Sequence, residues 1–178
     1  MSNMKTSMLE HLDFSYTNNQ LIELESIEKQ LQFSRFNSKD AYMLGDIIID
    51  LLDGYEEDIV ILITREKDQL PIFQYVMDTK TKKNITYANL KRNCVLETGH
   101  SSFWKLVNGI VNGSSMEQLF GNKECMPVGG AFPIYVEGNL EATVAISGLH
   151  DGLDHELIVN SLSTYLDKKV IEFTGRLF

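Results

Sequence analysis

"PVGGAFPIYVEGNLEATVAISG", residues 127–148, decides the fold. Two runs rich in aliphatic, aromatic and β-branched residues, Ala131–Val136 and Leu140–Ser147, flank Gly138-Asn139. Strand, short turn and strand make a hairpin. A second such pair lies upstream. "DIVILIT", residues 58–64, is short, continuous and β-branched, the pattern of a buried strand. The charged turn "REKDQ" leads into "LPIFQYVM", residues 70–77, with Pro71 near its start, where an edge strand tolerates a missing donor. Hairpins require antiparallel pairing, so a doubly wound parallel sheet is excluded.

Helical periodicity surrounds the hairpins. Leu21, Leu24, Ile27 and Leu31 recur on one face. "FNSKDAYMLGDIIIDLLDG", residues 36–54, reads as a second helix, capped by Asn37 or Ser38 and stopped at Asp53-Gly54. Gly45 within it implies close packing. From Tyr87 to about Ile110 the period returns to 3.6, which predicts one long helix ended by Asn112-Gly113. Ser114 with Glu117 predicts a capped further turn over "MEQLF". A last helix is expected from about Asp154 to Phe173. The order is α-α-β-β-α-(α)-β-β-α, an α+β fold with one antiparallel sheet and helices packed on it. Residues 1–20 read as an extension, loosely ordered or packed on the domain, and residues 21–178 as a single domain.

The formal net charge is −9, with 43% hydrophobic and 23% charged residues. An acidic chain repels phosphate backbones, and "KTKK" (80–83) with Lys91 and Arg92 is too small a basic cluster for a nucleic-acid footprint. No window has the apolar length of a membrane helix, and no signal peptide is read at the start. Cys94 lies in an apolar helical pattern and reads as a buried free thiol; neither it nor Cys125 is in a metal spacing, and the lack of a disulfide framework suits a cytoplasmic location.

"TGHSSFW", residues 98–104, suggests a nucleophile, His100 activating Ser101 or Ser102. Adjacent helical residues point about 100° apart, the final glycine of G-x-S-x-G is missing, and no third triad member is evident. On a continuous helix His100 shares a flank with Glu97, Phe103, Trp104 and Val107. An imidazole beside a carboxylate and aromatic rings suits the edge of a flat ligand or a metal. It equally suits a histidine satisfied at an interface. "VGGA", residues 128–131, is a bulge or tight turn, or a close approach of backbone to a ligand. In "ISGLHDGLDHE", residues 146–156, Asp154 reads as an N-cap, the helix start as a possible anion site, and the spacing of His150 and His155 argues against zinc.

Taken in order, "GHSSF", "GGAFPI", and "ISGL" with "DHE" just after resemble the HbpS/GlcG-like haem-degrading-domain family, in its branch of short uncharacterised cytosolic proteins. "FNSKDAYMLG" is similar to that branch's helix pattern, and the resemblance spans roughly Leu21 to Val170. It implies a profilin-like fold and ring-like or stacked homo-oligomers. Some members of the wider superfamily bind haem, and related domains are fused to corrinoid adenosyltransferases. Carried over by position, the motif residues are His100, Ser101, Ser102, Phe103, Gly129, Gly130, Ser147, Gly148, Asp154 and His155. They are expected to converge on one pocket or one subunit contact. A non-covalent haem would take His100 or His155 as axial ligand, a slot lined by Phe103 and Trp104, and Lys91 and Arg92 toward its propionates. Two functions follow: an oligomeric small-molecule-binding protein, possible haem included, with at most weak degrading activity; or a non-catalytic oligomeric scaffold or chaperone-pathway interaction protein whose motif residues build subunit contacts.

Overall fold

A computed structural model describes residues 15–149 and 151–170. His150, most of the expected N-terminal extension and residues 171–173 of the expected last helix lie outside the described residues; that helix already ends at Leu166, short of the expected Phe173, with Asp167 in a left-handed conformation (φ 50°). The elements are α1 (Asn18–Gln30), α2 (Ser38–Leu51), β1 (Val60–Arg65), β2 (Leu70–Val76), α3 (Lys82–Thr98), α4 (Ser102–Val111), α5 (Met116–Phe120), β3 (Ala131–Val136), β4 (Asn139–Ser147) and α6 (Asp151–Leu166). The expected boundary at residues 20 and 21 falls inside the first turn of α1, and the Tyr16 ring already packs edge-on to Phe103.

The four strands form one antiparallel sheet in the order β2-β1-β4-β3. Each hairpin forms as its turn chemistry requires. The β3–β4 turn is Glu137-Gly138, both at positive φ (50° and 81°), one residue earlier than the sequence suggested. β1 joins the hairpins, with Val60 opposite Ser147 and Arg65 opposite Ala142. A central strand packs on both faces, which explains the unbroken run "VILIT". β2 is an edge strand and accommodates Pro71.

The pleat separates two cores. Ile59, Ile61, Ile63, Phe132, Ile134, Ala142, Val144 and Ile146 face α1, α2, α4 and α6. Leu62, Ala131 and Ala145 face α3 through Ala88 and Val95. Asn37 caps α2, accepting from the Lys39 and Asp40 amides, while Asp40 accepts from the Asn37 amide. The Phe73 ring occupies the space where a Gly45 side chain would stand, the close packing that glycine implied.

Four further local expectations are corrected. The predicted helix from Tyr87 to Ile110 is two helices, because Gly99 takes a left-handed conformation (φ 73°) and closes α3 while Ser101 opens α4. Ser115 caps α5 with Gln118 as its reciprocal partner, in place of Ser114 and Glu117. α6 begins at Asp151, so Asp154 lies inside the helix and is not its N-cap, although it reaches back to accept from the Leu149 amide at 3.1 Å. Cys94, expected as a buried free thiol, is joined to Cys125 in a disulfide, their Cα atoms 5.5 Å apart.

Candidate functional site

The break between α3 and α4 builds the candidate site. Thr98 Oγ1 donates to the Cys94 carbonyl (2.8 Å) and accepts from the His100 amide (3.1 Å), so the last turn of α3 holds the joint. Ser101 Oγ accepts from the Trp104 amide (3.1 Å) and starts α4. The joint therefore leaves the helical path at His100, and its side chain projects between α1 and the end of α3.

Glu28 of α1 receives it. Glu28 Oε2 accepts from His100 Nδ1 at 2.6 Å, and Oε1 accepts from the Ser101 amide at 2.8 Å. A carboxylate acceptor fixes the proton on Nδ1 and leaves Nε2 as the lone-pair nitrogen. Nε2 has no hydrogen bond among the described residues. The Trp104 indole stacks on the imidazole, centroids 4.0 Å apart at 15°, and its N–H donates to Glu25 Oε1 at 3.0 Å. Tyr135 of β3 donates to the Gly99 carbonyl at 2.8 Å. Glu25, Glu28, His100, Gly99 and Tyr135, together with Lys29, Gln32 and Thr98, line an open cavity of about 520 Å³.

Charge follows from this geometry. The hydrogen bond to Glu28 raises the His100 pKa above its ordinary value, against partial burial. Burial, then the Glu28 charge, pushes the Tyr135 phenol up. A histidine held by a carboxylate at Nδ1 can accept a proton at Nε2, bind a metal there, or accept a hydrogen bond from a ligand.

The other motif residues do not converge on this cavity. Ser101 and Ser102 are buried, and Ser102 Oγ accepts from the Ala131 amide at 3.0 Å, pinning α4 to the start of β3. Both hydroxyls serve the backbone, which removes them as nucleophiles. Phe103 is in the core, and His155 is buried beside it, with ring centroids 5.0 Å from Phe103 and 6.0 Å from Phe132. Burial lowers the His155 pKa to about 3. Gly129 is buried ahead of β3, and Gly130 (φ 123°) approaches the Ile146 carbonyl, Lys91 Nζ and Asp154 too closely for a side chain. Ser147 is buried in β4 opposite Val60, and Gly148 packs on the backbone of Asp58 and Ile59.

Lys91 and Arg92 are corrected as propionate partners. Lys91 Nζ donates to Asp154 Oδ2 (2.8 Å) and the Ile146 carbonyl (3.0 Å), with the ammonium side chain 4% exposed and the carboxylate 0%. Arg92 makes a paired contact with Glu66 (2.8 and 2.5 Å), which also accepts from Thr143 Oγ1 at 2.6 Å. Neither cation reaches the cavity. Glu25, Glu28 and Tyr135 were missed from sequence. Only Glu28 carried a signal, a carboxylate on the buried stripe formed by Leu24, Ile27 and Leu31.

The haem expectation meets this site in part. His100 Nε2 fits an iron ligand, its other nitrogen held by a carboxylate. The rest of the cavity does not fit a haem. Tyr135 is the only aromatic wall residue besides His100, no aliphatic side chain lines it, and Lys29 is its only lysine or arginine, set among Glu25 and Glu28. Phe103, expected to line the slot, is in the core. One chain supplies a ligand atom without the apolar slot that covers a porphyrin. Among the described residues no group of three His, Cys, Asp or Glu is placed to hold a metal ion, and no helix is long and apolar enough to cross a membrane.

A family model described as "Haem degrading protein HbpS-like" matches residues 36–163. A UPF0303 protein of Rhizobium etli is 30% identical over 84% of this chain and 92% of its own length. A UPF0303 protein of Azotobacter vinelandii is also 30% identical, over 82% of this chain and 88% of its own. Among solved structures, the Ybr137w protein superposes with a TM-score of 0.75 at 28% identity, covering 83% of this chain and 90% of that one. A PduOC:heme complex superposes with a TM-score of 0.61 at 14% identity, covering 78% and 99%, a likeness of fold alone.

Proposed function

This chain belongs to the HbpS-like family, and from that membership we propose that it is a cytoplasmic, homo-oligomeric small-molecule-binding protein whose ligand meets His100 Nε2. The carrying observation is the Glu28–His100 pair. A buried carboxylate at 2.6 Å from Nδ1 orients the ring and leaves Nε2 as its basic nitrogen. Haem is the first ligand to test, because of the family's description and the heme complex among the fold neighbours. Haem binding on this reading needs a second copy to cover the open side of the cavity.

The scaffold alternative has less support. It asked the motif residues to build subunit contacts, yet Ser101, Ser102, Phe103, Gly129, Gly130, Ser147, Asp154 and His155 are buried within one chain. Of the "GHSSF" set only Gly99 and His100 reach the surface, and His100 is the one with a functional side chain.

The test is a haemin titration followed by the Soret band and by emission of the single tryptophan, Trp104, with sedimented mass measured in parallel. A red-shifted Soret band, quenched emission, and loss of both in His100→Ala are expected. No shift in the wild type, or equal binding by His100→Ala, overturns the haem reading. A monomeric mass with haemin bound overturns the shared-site version.

A further inference from the structure

Independently of the His100 cavity, Cys94 and Cys125 lie on different elements, separated by 31 positions, and meet beside a cation. Cys94 is on α3 and fully buried, while Cys125 is in the loop before β3 and 6% exposed. Lys105 of α4 places Nζ 3.2 Å from Cys125 Sγ, and Glu97 holds the same ammonium at 2.5 Å. Two other contacts keep the loop on α3: Asn93 Nδ2 donates to the Glu124 carbonyl (2.7 Å), and the Met126 amide donates to the Leu90 carbonyl (3.1 Å).

We propose that Cys94 and Cys125 form a reversible dithiol–disulfide site that exchanges with a low-molecular-weight thiol, Cys125 meeting the thiol and Cys94 resolving it. Exposure sets the order of attack, and Lys105 stabilises the Cys125 thiolate. In the reducing direction an external thiolate attacks Cys125 Sγ. The protein S–S bond breaks, and Cys94 leaves as a thiolate and takes a proton from water. A second thiolate attacks the external sulfur of the mixed disulfide. Cys125 then leaves as a thiolate beside the Lys105 ammonium. One protein disulfide and two small thiols become two protein thiols and one small disulfide, with two electrons passed to the protein. The reverse sequence, with an oxidised small disulfide as the oxidant, restores the bond.

The loop contacts to α3 that do not involve sulfur let the fold persist through both states. Cys94 also accepts from Thr98 through its backbone carbonyl, so the exchanging sulfur sits one helical turn from the joint that carries His100.

The test uses the full chain equilibrated across ratios of reduced to oxidised glutathione, acid-quenched, alkylated and read by mass spectrometry. Both thiols are expected to disappear together within the range that glutathione covers. In Cys94→Ser a glutathione adduct accumulates on Cys125, and in Cys125→Ser the adduct on Cys94 forms at least about 10-fold more slowly, as access dictates. Lys105→Met, which keeps both cysteines, slows adduct formation on Cys125 at pH 7 by about 3- to 10-fold when introduced into the Cys94→Ser background. A pair that stays fully oxidised or fully reduced across the whole range overturns the proposal. So does equal reactivity of the two single variants, or a rate unaffected by Lys105→Met. Circular dichroism of each variant confirms that the fold is retained, and the wild-type titration stands even if a serine variant does not fold.

Discussion

The buried Lys91–Asp154 pair should be the most sensitive electrostatic element in the chain. Its partners approach to 2.8 Å with the lysine 4% and the aspartate 0% exposed. Lys91→Met removes the ammonium while conserving most of the stem, and leaves the Asp154 carboxylate in the interior without that charge. Asp154→Asn leaves an ammonium held chiefly by the Ile146 carbonyl at 3.0 Å. Breaking a buried pair from one side costs about 3–5 kcal/mol. In a chain of 178 residues that corresponds to a fall in Tm of roughly 6–20 °C. Replacing both members removes both desolvation costs, so the double variant should be more stable than either single one. The coupling energy should then reach at least about 2 kcal/mol. Urea unfolding followed by Trp104 emission, run on all four proteins at pH 7, measures it. Single variants within about 1 kcal/mol of wild type, or a double variant at the sum of the singles, would refute the argument that this pair is desolvated and coupled.

Other predictions concern pH and backbone. The raised His100 pKa should fall back toward the ordinary value in Glu28→Gln, read by NMR titration of the ring. Because the folded value lies above the unfolded one, the stability from this contact is present in acid and fades as pH rises through the folded pKa. Ligation of a metal by Nε2 runs the opposite way, tightening over the same rise as the ring loses its second proton. His155 has the reverse sign: its folded pKa, about 3, lies below the unfolded value. Its neutral burial is fully favourable above about 6.5 and is opposed as pH falls toward 3, by up to ~1.4 kcal/mol per unit. Unfolding free energy should therefore drop by roughly 2 kcal/mol between pH 6.5 and 5 in wild type, and the drop should vanish in His155→Phe, by denaturant titration. Gly130→Ala places a methyl against the Ile146 carbonyl at an unfavourable φ, and should cost about 2–4 kcal/mol by thermal unfolding.

The hairpins were legible because turn residues and strand runs are local signals, and the pairing order then left only one compact sheet. The single helix read across residues 87–110 shows where periodicity misleads. Phe103, Leu106 and Val107 remain apolar at helical spacing after the break, so the pattern continues through a chain that turns. Gly99 and Ser101 are the ordinary closing and opening signals of helices, and weighing them above periodicity would have found the joint. The site itself was half visible. His100 stood out by type, but Glu28 lies 72 positions from it and Tyr135 lies 36 positions from Gly99, and no local rule links them. The buried charges were invisible for the same reason. Lys91 and Arg92 look like solvated residues until α3 is laid on the sheet and brings them to Asp154 and Glu66. Cys94 and Cys125 met through tertiary packing that spacing does not encode.

The antiparallel pairing of Val60 with Ser147 also sets a timetable. During synthesis the β1–β2 hairpin emerges early, followed by α3, the joint and α4, all before β4 exists to join them. Until then β1 is an edge, presenting "VILIT" and a row of unpaired amides and carbonyls to its surroundings. A nascent chain halted anywhere between α3 and β4 would carry an adhesive strand with high β-propensity and no charge inside it. The stretch of synthesis from α3 to the end of β4, residues 82–147, is therefore when this protein most needs shielding. Slowing elongation there should raise aggregation more than slowing it over α1 and α2.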